Sequence, residues 1–248
     1  MADFRLRRQE TLDGERLRAM LDESPARAAQ AILIAAREGE VEAQALLGQI
    51  LLDGQGIARD QPLALRWFGI AANQGHLMAR NMLGRCHEHG WGCVANVTSA
   101  ARHYRKAAVG GLDWGLYNYA NLLATGRGVI EDHTQALACY LRAAHLGHAK
   151  SMNLLGRYLE EGRYCPADPK GALEWYRRSA EGGDFRGQFS YGACLFEQGQ
   201  PDQALVWLHR AMTGGNAKFL RKAAQTLRHV GLLALAETYL EQARALAS

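Results

Sequence analysis

"ARNMLGRCHEHGWGCVANVTSAARHYRKAAVGG", residues 79–111, decides the fold, because the chain restates it at a fixed interval. Shifted by 36 residues, it lies over "AQALLGQILLDGQGIARDQPLALRWFGIAANQG" (43–75) on one side. On the other side it lies over "GLYNYANLLATGRGVIEDHTQALACYLRAAHLG" (115–147) and "SMNLLGRYLEEGRYCPADPKGALEWYRRSAEGG" (151–183). No insertion or deletion is needed. A constant period of this size marks stacked supersecondary units.

Each column has a physical reading. Gly48, Gly84, Ala120 and Gly156 are small residues in the middle of a first helix, where a second helix can come close. Ala64, Ala100, Ala136 and Ala172 do the same from the second helix, as do Ala72, Ala108, Ala144 and Ala180. Phe68, Tyr104, Tyr140 and Tyr176 supply one large ring per unit to fill the layer. Gly75, Gly111, Gly147 and Gly183 follow the second helix, where a left-handed residue ends it. Between the helices runs G-x-G, and then a polar residue, Asp60, Asn96, Asp132 or Asp168, placed to cap the second helix. Pro169 follows Asp168 at the first helical position, where proline fits.

The pattern extends in both directions. Residues 187–215 form a fifth unit with four residues removed from its turn, and 219–246 repeat more weakly. Upstream, 26–39 reads as a second helix with residues 5–22 available as its partner. The expectation is an all-α chain of about seven antiparallel helix pairs, a single repeat domain over 1–248. Within it, 1–40 and 217–248 are capping pairs, 41–184 are four full repeats, and 185–216 is the shortened fifth.

The columns A-x-x-x-L-G, G-x-G-V/I, D/N-x-x-x-A, W/Y-F/Y-x-x-A-A and a final G resemble the Sel-one-like repeat, a variant of the tetratricopeptide helix pair with a longer turn. Tyr164 departs from it, standing where the second glycine of G-x-G falls, and the fifth unit lacks that loop. The resemblance implies a right-handed α-solenoid whose first helices line a concave face. It also implies a role in holding other proteins, as adaptor, assembly factor or signalling scaffold, and names no partner.

Residues 83–93, "LGRCHEHGWGC", look like chemistry: two cysteines and two histidines in eleven positions. The columns say otherwise. Cys86 aligns with Ile50 and Leu122, His87 with Leu51, Leu123 and Leu195, and Cys93 with Ile57 and Val129, all packing positions. Zinc needs about four converging ligands, and helix neighbours such as Cys86 and His87 diverge by about 100°. No metal or cofactor is expected, and His145 and His148 read as surface. Nucleophile elbows and P-loops are absent from the sequence, so no catalytic residue is assigned.

Carried over through the resemblance, the groove positions of the central units are Asn81, Arg85, Trp114, Tyr117, Asn121, Lys150, Asn153 and Arg157. Unlike the packing columns, these change type from unit to unit. Asparagine suits an extended backbone, arginine suits carboxylates, and Trp and Tyr suit interface anchors. Trp91, at a turn tip, is a second candidate, either anchoring a partner or folding back on its own turn. The expected partner is a protein or peptide segment.

Composition narrows the alternatives. Hydrophobic residues make up 48% and charged residues 22%, an ordinary globular balance. Net charge is only +4, and the one dense basic run is Arg5, Arg7 and Arg8. Acids on the groove positions (Glu42, Asp53, Glu88, Glu160, Glu161, Glu197) argue against tracking phosphates, so an RNA-binding solenoid ranks below a scaffold or a regulatory subunit docking on one enzyme. No stretch approaches the roughly 18 apolar residues of a membrane span, and the opening residues do not read as a secretory signal. The five cysteines are odd in number and form no C-x-x-C, which suits free thiols and a cytoplasmic location.

Overall fold

A computed structural model describes residues 24–247. Among them are thirteen helices and no strand. The chain divides into two compact units, the first ending at Lys106 and the second beginning at Ala107. The proposed partner helix at 5–22, the basic run within it and so part of the expected 1–40 cap lie outside the described residues.

The first unit holds α1 (Pro25–Arg37), α2 (Val41–Asp53), α3 (Gln61–Asn73), α4 (Leu77–His89) and most of α5 (Val97–Val109). Successive helices α1 to α4 pack on one another, and α2 also meets α4. Ile32, Leu47, Leu51, Phe68, Ala71 and Cys86 share one buried cluster. A side chain such as Phe68, once buried, contributes roughly 1.5–3 kcal/mol.

The second unit holds α6 (Asp113–Leu123), α7 (His133–His145), α8 (Ala149–Glu161), α9 (Pro169–Glu181), α10 (Phe185–Glu197), α11 (Pro201–Gly214), α12 (Ala217–His229) and α13 (Leu233–Ala245). Each pair (α6 with α7, α8 with α9, α10 with α11, α12 with α13) packs as a hairpin, and α8 also touches α10. The shortened fifth turn is three residues, 198–200, between α10 and α11.

The columns do what their chemistry requires. The second-helix rings Phe68, Tyr104, Tyr140 and Tyr176 are all buried, as are the alanines around them. Gly84 shows why its column is small: a Cβ there would stand 2.5 Å from the Tyr104 ring. Asp60, Asn96, Asp132 and Asp168 each accept a hydrogen bond from the amide three residues on. Their own N–H groups donate back to the carbonyls of Leu51, His87, Leu123 and Leu159, which locks each turn to the end of the first helix. Gly75, Gly111, Gly147 and Gly183 all take left-handed φ values, between 82° and 93°.

The Tyr164 departure has a compensation. Gly56 and Gly92 let their turns lie against the opening residues of the preceding second helix, Pro25 for Gly56 and Gln61 for Gly92. Tyr164 reaches the equivalent place with its ring, stacking at 3.7 Å on His133, the first residue of α7. The His133 Nδ1 meets the Tyr158 hydroxyl at 2.7 Å, and its Nε2 lies 3.1 Å from Glu131.

Candidate functional site

The first helices carry the candidate residues, and the second-helix rings reach through to them. Tyr104 donates its hydroxyl proton to Glu88 at 2.8 Å, and Tyr176 does the same to Glu160 at 2.7 Å. In the intervening repeat that acceptor position is Ala124, and Tyr140 donates to Asn121 Oδ1 instead, at 2.8 Å. Phe68 has no hydroxyl, and the matching position is the buried Leu52. A buried hydroxyl needs an acceptor, so part of the variation along the first-helix face answers the ring beneath it.

In the first unit, Asn81 is only 2% exposed, with its amide 3.9 Å from Met78 Sδ. Burial at Asn81 takes it off the open surface that the column pattern suggests. Arg85 is exposed and lies over the Trp91 ring, 5.0 Å from its centroid, while His89 packs on the same ring at 4.7 Å. Trp91 thus folds back on its own hairpin, packed against the core of the unit.

The cysteine–histidine stretch resolves into packing and capping. Cys86 is buried, which pushes its thiol up to about 12, with the Cys93 thiol adding to the rise. Cys93 donates to the Cys86 carbonyl at 3.7 Å and meets His87 Nδ1 at 3.5 Å. His87 stacks on His103, whose Nδ1 is buried without a hydrogen-bond partner. Burial holds His103 down at about 4, with the facing His87 and the cations Arg80 and Lys106 adding to it. All five cysteines are free thiols. Among the described residues no three His, Cys, Asp or Glu side chains stand where they could hold a metal ion.

In the second unit the residues gather around His148. Trp114 meets its ring edge-on at 4.7 Å, Tyr117 lies at 4.7 Å, and Lys150 Nζ sits 4.9 Å over the Trp114 ring. Trp114 keeps 36% of its surface exposed. His148 is 5% exposed, which corrects the surface reading. Its Nδ1 accepts from the Ser151 amide at 3.3 Å and meets Ser151 Oγ at 2.9 Å, capping α8. Burial lowers its pKa to about 4, with Lys150 acting in the same sense and Asp113 against it. The signal was in the sequence: the residue after the turn glycine caps the next first helix, as His76 does for Ala79 and Asp184 for Gly187.

Asn153 is 3% exposed, and its Oδ1 accepts from Ser190 of α10 at 3.0 Å. With Asn121 Oδ1 held by Tyr140, both carboxamide oxygens are engaged and oriented. Their Nδ2 groups, the Trp114 indole N–H, the Tyr117 hydroxyl and the Lys150 ammonium have no acceptor among the described residues. Arg157 is exposed and pairs loosely with Glu161 at 3.6 Å.

The columns recur in five consecutive units, with the full turn and its cap in the first four, and the Sel1 repeat family model matches residues 41–76, 77–111, 115–148, 149–184 and 186–216. The chain is a Sel1 repeat protein. Sel1 repeat proteins commonly serve as protein-interaction scaffolds. Among solved structures, a Sel1 repeat protein from Oxalobacter formigenes matches with a TM-score of 0.79 and 24% identity, over 94% of this chain and 99% of that one. A protective antigen of uropathogenic Escherichia coli strains, displaying an SLR fold, matches at 0.70 and 28% identity over 92% of this chain. The present Sel1 repeat protein spans about half, 52%, of that antigen's chain. An immunity protein from Pseudomonas aeruginosa shares the fold alone, at 0.55 and 17% identity, with 84% and 81% of the two chains covered. No curated protein matches the sequence. No helix among the described residues is long and apolar enough to cross a membrane.

Proposed function

We propose that this Sel1 repeat protein is a non-enzymatic scaffold or adaptor that holds a segment of a partner protein against its first-helix face. One observation carries the reading. In the second unit Trp114, Tyr117, Asn121 and Lys150 carry donors that no acceptor among the described residues uses, beside partly exposed aromatic surface. Aromatic anchors ringed by polar groups are how protein interfaces concentrate their binding energy. The second-helix rings Phe68, Tyr104, Tyr140 and Tyr176 and the alanines around them are engaged in packing.

Among the described residues, two contacts set a serine or cysteine against a histidine. Ser151 is fully buried beside His148, and Cys93 is bonded to the Cys86 carbonyl beside His87. Ser151 is thereby closed to a substrate, and burial raises the pKa of the partly exposed Cys93 thiol, which favours binding over catalysis. A regulatory subunit docking on one enzyme would use the same face and is distinguished by a single stoichiometric partner.

The test is photo-crosslinking in the native cell, with a benzophenone side chain replacing Tyr117 on α6 or Arg142 on α7. Protein adducts are expected from the first position and not the second. Adducts from Arg142 alone, or from neither, would overturn the reading.

A further inference from the structure

The shortened fifth turn leaves open a place that other repeats fill. In three full repeats the turn lies against the first residue of the preceding second helix: Gly56 on Pro25, Gly92 on Gln61, and the Tyr164 ring on His133. One period further on, that residue is Pro169, the start of α9. The fifth unit has no loop to lay on it. Its turn closes directly, with the Gln200 N–H on the Leu195 carbonyl at 2.9 Å, the same bond that Asp168 gives Leu159. A cavity of about 180 Å³ stands there. Its apolar lining is Pro169, Ala172 and Leu173 of α9, and its polar lining includes Glu160 of α8, Glu197 of α10 and Gln198 of the turn.

The charge of that lining has one sign, and no cation lines the cavity. Glu160 Oε2 accepts the Tyr176 hydroxyl at 2.7 Å, and its Oε1 has no partner among the described residues. The Glu197 carboxylate has none either. Both carboxylates act on Cys194, which also lines the cavity: its thiol is pushed up to about 11, first by burial and then by Glu160 and Glu197. Among the described residues no three such groups are placed to hold a metal ion. The volume is well below the roughly 300–1,000 Å³ of a drug-sized site, so it suits a group the size of one side chain.

We propose that this cavity binds a guanidinium group on a short alkyl stem, the planar head against the Glu160 and Glu197 carboxylates and the stem along Ala172 and Leu173. A guanidinium forks onto carboxylate oxygens and is more weakly hydrated than an ammonium, so it loses less on leaving water. Tyr176 holds Glu160 in advance, which limits the ordering needed on binding. A free alkylguanidine and the Arg side chain of a protein segment carry the same chemistry. The site shares no residue with the Trp114, Tyr117 and His148 cluster, and it does not rest on a partner docking there.

The experiment is an NMR titration of the full ¹⁵N-labelled chain with four probes: n-butylguanidinium, N-acetyl-arginine N-methylamide, n-butylammonium and the uncharged N-acetyl-norleucine N-methylamide. Saturable shifts are expected at the Gln198 side-chain amide and the backbone amides of 197–200 with both guanidinium probes. Capped arginine binding at least as tightly as butylguanidinium assigns the site to an Arg side chain, and the reverse order to a free alkylguanidine. Glu197→Gln should weaken both by about tenfold. Replacing residues 198–200 by Gly-Arg-Tyr-Cys-Pro-Ala-Asp, the sequence of 162–168, restores the missing loop and should abolish binding with the helices intact by circular dichroism. Should that chain not fold, Glu197→Gln and the four probes decide alone. Equal binding of butylammonium or the norleucine probe, full binding in Glu197→Gln or in the folded loop-restored chain, or no shift at these signals each overturns the proposal.

Discussion

One phenylalanine, Phe68, stands in a column of tyrosines for a reason visible only at atomic distance. Tyr104 and Tyr176 carry a hydroxyl to Glu88 and Glu160, whereas Phe68 lies where Leu52 would leave a hydroxyl stranded. Phe68→Tyr is therefore expected to lower stability by about 1–3 kcal/mol, the cost of a buried polar group without a partner. Adding Leu52→Glu should recover part of that loss. A urea-unfolding double-mutant cycle measures the coupling, and strict additivity would refute the pairing. His148 and His103 make a second prediction. Both have folded pKa values near 4, depressed below the ordinary 6.5, chiefly by burial. Between those values the unfolded chain binds protons that the native state does not, so their contribution is complete above about 6.5 and is lost as pH falls toward about 4. Burial raises Asp184, which acts in the opposite sense, nearer the ordinary carboxylate range. The urea midpoint should fall between pH 7 and pH 5. His148→Asn, which keeps a capping acceptor, should narrow that fall, and an unchanged gap would show His148 is not responsible.

At the scale of the element, the helix pair is shaped by its turns. Gly92 combines a φ of 75° with a position where a Cβ would lie 2.3 Å from the Gln61 carbonyl oxygen. Left-handed strain and overpacking then act together, and Gly92→Ala is expected to cost about 2–4 kcal/mol. Thermal or urea unfolding measures it, with exposed Gly39→Ala as the control: that residue also has positive φ but nothing within 4 Å of an added Cβ. Equal losses at the two sites would show that the approach to Gln61 carries no energy. Most of the element scale could be read from the sequence. Capping residues, turn glycines and small columns act through neighbours a few residues away, and such contacts repeat with the period. His148 was misread because its role depends on position after a turn glycine rather than on residue type. Asn81 was placed on the open face, and its burial depends on packing around α4 that the column does not encode.

Across the whole molecule, each repeat buries its core against its neighbours in sequence, so perturbation should stay local. In Gly92→Ala, hydrogen exchange is expected to quicken in α3, α4 and α5 and to stay unchanged in α12 and α13. Uniform loss of protection over both units would contradict nearest-neighbour stability. The repeat period by itself determined the helix pairs, their caps, their small and large columns and the family, because every unit solves the same short-range packing problem with the same residues. Tertiary structure alone decided which polar side chains are already satisfied: Asn121 by Tyr140, Asn153 by Ser190 from the next repeat, Glu160 by Tyr176, and Lys150 by no carboxylate among the described residues. Those bonds join residues 16 to 37 positions apart. A hydrogen bond depends on distance and direction in space, and a column of residue types records neither.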